Sequence, residues 1–199
     1  MIIMPKPFIP RDKFAKKAQR EGYLARSAYK LEEIIAKFKA LKPGDKVLDL
    51  GAAPGSWLQV AHNAIGPAGL VVGVDISPID FASPGVVVIT GDVFKSDWLS
   101  QAAAFGPFDA VISDLAPKTS GIKDRDQALS QELSAQAAKI ALATLKKHGN
   151  FVVKVFQNPE TFAFNQYLKT VFKKVRAYKP QASRDRSFEI YLVCLDKID

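Results

Sequence analysis

The chain predicts an α/β fold, a mostly parallel sheet with helices on both faces, and three observations predict it. Short apolar runs alternate with helical-period segments from residue 46 onward, the pattern of strand–helix–strand units. Lys46 to Leu58, KVLDLGAAPGSWL, reads as a buried strand, a turn of small residues and a helix start. The next apolar run, LVVGVDI, carries Asp75 twenty positions after Gly55, where a carboxylate can accept hydrogen bonds from ribose hydroxyls.

Taken in order, residues 1–22 hold Pro5, Pro7 and Pro10 with Lys6, Arg11, Lys13, Lys16, Lys17 and Arg20. Proline favours extended backbone. The stretch is expected to be a basic arm ahead of a single domain at 23–199, either a frayed, solvated tail or a segment that orders on phosphates. Ser27 fits the N-cap of a helix running to about Phe38, with Leu31, Ile34, Ile35 and Phe38 on its apolar face. Lys30 flanks that face, and periodicity alone favours a snorkelling stem with a wet ammonium.

Strands are expected at 46–50, 70–75, 86–90, 108–113, 149–156, 173–178 and 189–195, and further helices at 56–65, 96–104, 127–146 and 160–171. Gly149 is expected to stop the longest helix after Lys146 and Lys147, cations suited to a helix C-terminus. Only about ten residues join the last two strands, too few for a crossover, so these should pair antiparallel.

At 199 residues, one domain can build a full core. A net charge of +8 points to a polyanionic partner, nucleic acid first and an anionic membrane surface second. The lone Cys194 lies in the apolar run IYLVCL and reads as core filling. His62 and His148 are isolated, so no metal site is expected. Apolar runs are strand-sized, and MIIMPKPF is too short for a secretory signal. A reducing, cytoplasmic compartment without membrane attachment is the expectation, and no obligate protein partner is evident.

The turn narrows the ligand. Gly51 and Gly55 are spaced G-x-x-x-G, not G-x-G-x-x-G, and no G-K-[ST] follows. That disfavours a nicotinamide dehydrogenase and a phosphate-cradling loop. S-adenosylmethionine, with an adenosine and an amino-acid tail but no phosphates, suits the turn. Ligands of such sheets bind at the carboxyl ends of the strands. Asp75 and Asp114 end two of them, and Asp92 follows a third, within reach of an adenine amino group. Lys154 interrupts the apolar strand FVVKVF. An unpaired interior charge is costly, so it either guards a sheet edge or meets partners. An antiparallel last strand would bring Glu189 to the same rim, beside the cations Lys179, Arg184 and Arg186.

RSAYKL at 26–31, DLGAAPGSW at 49–57, SDLAPKTSG at 113–121, VVKVF at 152–156 and SRDRSFEIY at 183–191 together resemble the FtsJ/RrmJ-type ribose 2′-O-methyltransferases. The resemblance runs from about Gly22 to the C-terminus. It implies the Rossmann-like, S-adenosylmethionine-dependent methyltransferase fold, a seven-stranded sheet with strand seven antiparallel beside strand five. It implies a catalytic tetrad of Lys30, Asp114, Lys154 and Glu189, with Lys154 the candidate proton acceptor. It places cofactor binding at Gly55, Trp57, Asp75, Asp92 and Asp114, beside Gly51 of the same turn. Burial and Lys30 favour a neutral Lys154, whereas Asp114 and Glu189 favour its ammonium, so base and charge stabiliser are both open at this point.

The implied substrate is ribosomal RNA, a uridine of the large subunit foremost, free or within the assembled subunit. Transfer RNA, a messenger cap and non-catalytic RNA binding are the alternatives. Ser56, Lys118 and Phe188 depart from the residues usual in that family. Lys118, Arg184, Arg186 and the N-terminal arm are the candidate RNA contacts.

Overall fold

The structure is a computed structural model and describes residues 13–117, 120–184 and 187–198. Strands β1 (Lys46–Leu50), β2 (Leu70–Asp75), β3 (Val86–Thr90), β4 (Phe108–Ser113), β5 (Leu145–Phe156), β6 (Phe172–Tyr178) and β7 (Glu189–Lys197) form one seven-stranded sheet. Its order is β3-β2-β1-β4-β5-β7-β6. β3, β2, β1, β4 and β5 pair parallel, and β7 enters antiparallel between β5 and β6. The expected antiparallel pairing of the last two strands and the insertion of β7 beside β5 both hold.

Among the described residues six helices accompany the sheet: α1 (Lys13–Glu21), α2 (Ala28–Phe38), α3 (Ser56–Ile65), α4 (Leu99–Ala103), α5 (Lys123–Thr144) and α6 (Glu160–Val171). Successive strand residues point to opposite faces, which divides the core into two layers. On one face Leu48, Leu50, Val72, Val111 and Val153 pack with Trp98, Ala137, Ala141 and Leu168. On the other, Val47, Val71, Ile112, Val152 and Val193 pack with Leu31 and Ile34 of α2 and Leu58 and Ala61 of α3. Each large side chain so enclosed contributes about 1.5–3 kcal/mol. Gly73 lets α3 lie close to β2, because a Cβ there would stand 2.8 Å from Leu58 Cδ2. This close seat fixes the start of α3 against the ends of the strands.

Four local expectations are corrected. Lys13–Glu21 is helical rather than extended, since the prolines stop at Pro10; α1 packs Ala18 and Phe14 against Tyr29 and Ala182. Residues 1–12 of the expected arm lie outside the described residues. Ser27 stands at the N-cap of α2 as expected, but its side chain makes no cap bond: its backbone is already αR, and its hydroxyl meets Ser56 Oγ at 2.8 Å. α4 is shorter than expected, with its end at Ala103. α5 begins at Lys123 and ends at Thr144, and Lys146, Lys147 and Gly149 belong to β5. Leu145 pairs with Phe108, then the register shifts to Ala110 with Asn150. Lys146 Nζ donates to Asp109 Oδ1 at 2.9 Å, so a β4 carboxylate holds this lysine at the sheet. Gly149 fits the irregularity, where a Cβ would meet the Lys146 carbonyl oxygen at 3.0 Å.

Candidate active site

The site rises from the α2–α3 face of the sheet. Ile112, Val152 and Val193 are neighbours across β4, β5 and β7 in its buried layer. Two residues toward the strand ends, that face presents Asp114, Lys154 and Tyr191, with Lys154 directly opposite Tyr191. The Lys154 side chain is almost enclosed, so its charge needs partners. Its Nζ donates to Asp114 Oδ1 at 3.1 Å and to the Asp114 main-chain oxygen. Tyr191 OH donates to the same Oδ1 at 2.6 Å. Burial, then the charges of Asp114 and Glu189, push the Tyr191 phenol well above its usual range, so it stays a neutral donor.

A second ion pair stands beside the first. Lys30 Nζ lies 2.5 Å from Glu189 Oε1, and Ser183 Oγ donates to that oxygen at 2.9 Å. The Lys30 ammonium is 5.9 Å from the centroid of the Tyr191 ring. All four tetrad residues therefore reach one end of the sheet, as two pairs flanking Tyr191. The bland alternatives for two of them fall away: Lys30 is paired rather than wet, and Lys154 lies on an inner strand. Lys30 owes its place to the joined starts of α2 and α3, where Trp57 Nε1 donates to the Ser27 carbonyl at 2.9 Å beneath the paired serines.

Next to these pairs lies the small-residue turn. Gly51 has φ +82°, and a Cβ there would stand 2.9 Å from Leu115 Cδ2. Gly55 has φ +118°, and a Cβ would stand 2.8 Å from Phe81 Cβ. α3 starts at Ser56, and the first turn of a helix offers N–H groups that no intrahelical carbonyl takes. Asp75 accepts the N–H of Ala53 at 3.0 Å through Oδ2 and that of Ser77 at 2.8 Å through Oδ1. Each oxygen keeps a lone pair for a ligand hydroxyl. Asp92 accepts the Phe94 N–H at 3.0 Å, and its carbonyl accepts Trp98 Nε1 at 2.9 Å. The Trp57 indole is buried and already bonded, so any ligand contact from Trp57 comes from its main chain.

Two residues at the site escape a reading of the sequence. Tyr191 stands two positions after Glu189, on the same strand face by the period of two. Asp49 lies on β1 directly below this row, 0 % exposed, with neither carboxylate oxygen hydrogen-bonded. Burial, then the charges of Asp114 and Asp75, raise its carboxyl well above the usual range. A charge inside an apolar strand is the signal in both Lys154 and Asp49.

The donor set fits S-adenosylmethionine. Asp75, Asp92 and Asp114 collect at or near the strand ends, and their acidity suits a ligand with sulfonium and ammonium charges and a ribose. Asp75 would hold the ribose, Asp92 the adenine, and the Gly51–Gly55 turn would let the main chain approach. Among the described residues no group of three His, Cys, Asp or Glu side chains could hold a metal ion. Among them, too, no helix is long and apolar enough to cross a membrane.

Comparison with known proteins identifies the family. The chain is 49% identical over 185 residues to ribosomal RNA large subunit methyltransferase E of Syntrophobacter fumaroxidans, covering 92% of this chain and 94% of that one. It is 50% identical over 188 residues to the protein of the same name from Methanothrix thermoacetophila, covering 92% and 71%. Among solved structures, a protein described as a ribosomal RNA methyltransferase from Plasmodium falciparum matches with TM-score 0.76 and 30% identity, over 88% of this chain and 99% of that one. The mycinamycin-pathway methyltransferase MycE, solved with Mg and SAH, shares the fold alone, at 14% identity and TM-score 0.58 over 93% and 49%. With the sequence model of that family matching residues 23–197, the chain belongs to the FtsJ-like methyltransferases.

Proposed function

We propose that the protein transfers a methyl group from S-adenosylmethionine to a ribose 2′-hydroxyl of ribosomal RNA, with a uridine of the large subunit as the target. The carrying observation is the enclosed Lys154, held by Asp114 at the strand ends beside the glycine turn. The relatives named for large-subunit ribosomal RNA support that substrate class over transfer RNA or a messenger cap.

S-adenosylmethionine supplies an electrophilic methyl group, and a ribose hydroxyl is a poor nucleophile until its proton leaves. Lys154, once its ammonium has given up a proton, would accept the hydroxyl proton as the free amine while the oxygen bonds the methyl carbon and the carbon–sulfur bond breaks, its electron pair staying on sulfur as a neutral thioether. The ammonium that results is held by Asp114, whose carboxylate Tyr191 keeps in place. Lys30 and Glu189, locked to each other and to Ser183, orient the ribose beside Lys154. Residues 1–22, whose described part is the helix α1 packed on Tyr29 and Ala182, serve as a basic RNA-binding segment ahead of the methyltransferase domain at 23–199, acting in the cytoplasm.

The test is transfer of labelled methyl from S-adenosylmethionine to ribosomal RNA and to large subunits, with the modified nucleotide identified. Lys154→Ala is expected to lose turnover, by about 10²–10⁴-fold for a general base, while calorimetry shows cofactor binding preserved. Wild-type rates in the variant would remove Lys154 from the reaction.

A further inference from the structure

The rim of the site has a second side. Glu189 turns its carboxylate to Lys30, and Phe188, one residue earlier, turns its ring toward the start of α5. There Lys123 Nζ stands 4.9 Å from the ring centroid. The position is held firmly: the Phe188 carbonyl accepts the N–H of Gln157 at 2.8 Å, and the Gln157 carbonyl accepts Gln127 Nε2 at 2.7 Å. Strand end, ring and the first turns of α5 are thereby one unit. Yet Phe188 is 53% exposed, and Ile122 beside Lys123 is 61% exposed.

Burial explains neither Phe188 nor Lys123. An exposed ring forgoes the burial its apolar area would give. Lys123 occupies the first position of α5, the positive end of the helix dipole, where a cation is disfavoured. Together they match what single-stranded RNA needs: a flat apolar face for a base and a cation for its phosphate. Phe188 and Glu189 are adjacent, about 3.8 Å between Cα atoms, so the ring and the Lys30–Glu189 pair lie on opposite sides of the same rim.

We infer that Phe188 and Lys123 form a stacking platform for a nucleobase of the strand that presents its ribose to Lys154, the ring meeting the base and the ammonium the adjoining phosphate. This rests on the RNA methyltransferase reading above and adds how the substrate strand is held. Every base has a π-face, so the platform grips without reading sequence.

Phe188→Ala raises the KM for RNA about tenfold, with the KM for S-adenosylmethionine unmoved. Phe188→Leu, which keeps apolar bulk but no ring, behaves like Phe188→Ala. A Leu variant with the wild-type KM would show packing rather than stacking and overturn the inference. Phe188→Trp gives a readout independent of turnover. Trp57 and Trp98 are 2% and 0% exposed, so a tryptophan at 188 reports alone from the surface. Polyuridylate is expected to quench its emission, and inorganic polyphosphate, a polyanion without bases, is not. Equal quenching by both, or none by polyuridylate up to millimolar nucleotide, would overturn the platform. Failure of the wild-type protein to methylate ribosomal RNA would instead count against the function and leave the quenching result standing.

Discussion

Asp49 is a carboxyl group enclosed in apolar surroundings with no donor facing either oxygen. Its pKa is raised in the folded protein, by burial first. The folded state therefore binds a proton that the unfolded chain releases above about pH 4. Between those two pKa values stability falls as pH rises, by up to about 1.4 kcal/mol per pH unit. Asp49→Asn keeps the shape of the neutral acid and removes the titration. The variant is expected to melt higher than the wild type at pH 7, by a margin that shrinks toward pH 4. Thermal melts at several pH values check this, and a margin independent of pH would mean that Asp49 is ionised in the folded state. The same residue shows how far the site is legible in the sequence. Lys154 and Asp49 carry one signature, a charge within an apolar strand. Lys154 stands out because nothing nearby accounts for it, whereas the glycine turn after Asp49 accounts for its stretch without it. Tyr191 is harder to find, because a tyrosine in a strand next to apolar residues is ordinary core until its hydroxyl partner is known.

The strand–turn–helix unit of β1 and α3 is legible because its residues answer to local geometry alone. Gly55 adopts φ +118°, which side chains rarely tolerate, and a Cβ there would press on Phe81. Gly55→Ala should cost about 1–3 kcal/mol, lowering Tm by about 2–12 °C for a chain of this size. It should also weaken S-adenosylmethionine binding, because the turn must shift to relieve the contact. Differential scanning calorimetry and cofactor titration check the two effects, and an unchanged Tm would mean that the turn is not held in this form. The boundaries that do not read through are those set from a distance. Ser27 resembles a cap in sequence, but its hydroxyl is taken by Ser56, twenty-nine residues away. Lys146 resembles a helix-ending cation, but Asp109 of β4 holds it at the sheet. In α1 the helix gains its footing from Tyr29 and Ala182, contacts that no local pattern shows. Early start of α5 has a similar cause: Asp126 accepts the N–H groups of Ser120 and Gly121 at 2.8 and 3.2 Å, fastening the chain just before the helix.

At the scale of the molecule, parallel strands bring their carboxyl ends to one edge, and β7, entering in reverse, begins where they end. That single topological fact gathers Asp75, Asp114, Lys154 and Glu189, residues up to 114 positions apart in sequence. The short β6–β7 connection makes the antiparallel pair legible, but the place of β7 beside β5 comes from family resemblance, since a residue count does not set strand order. Around this acidic, cofactor-suited edge the chain carries a net charge of +8. The two signs have separate tasks: carboxylates suit a cationic cofactor, and outlying cations suit the phosphates of RNA. On the proposed reading α1 would carry part of the second task, with Lys13, Lys16 and Arg20 exposed on a helix anchored by Ala18 and Phe14. Cations that neutralise phosphates release condensed counterions, and for single strands each contact adds about −0.7 to the slope of log affinity against log salt. If Lys16 and Arg20 each meet one phosphate, the double variant Lys16→Gln/Arg20→Gln should flatten the slope by about 1.4. Its affinity for RNA should fall most at low salt and converge on the wild type as salt rises. Filter binding or anisotropy across a salt series measures this directly. A parallel pair of lines, weaker but equally steep, would mean that the substitutions disturbed α1 packing rather than a phosphate contact, and would assign RNA binding to cations elsewhere on the molecule.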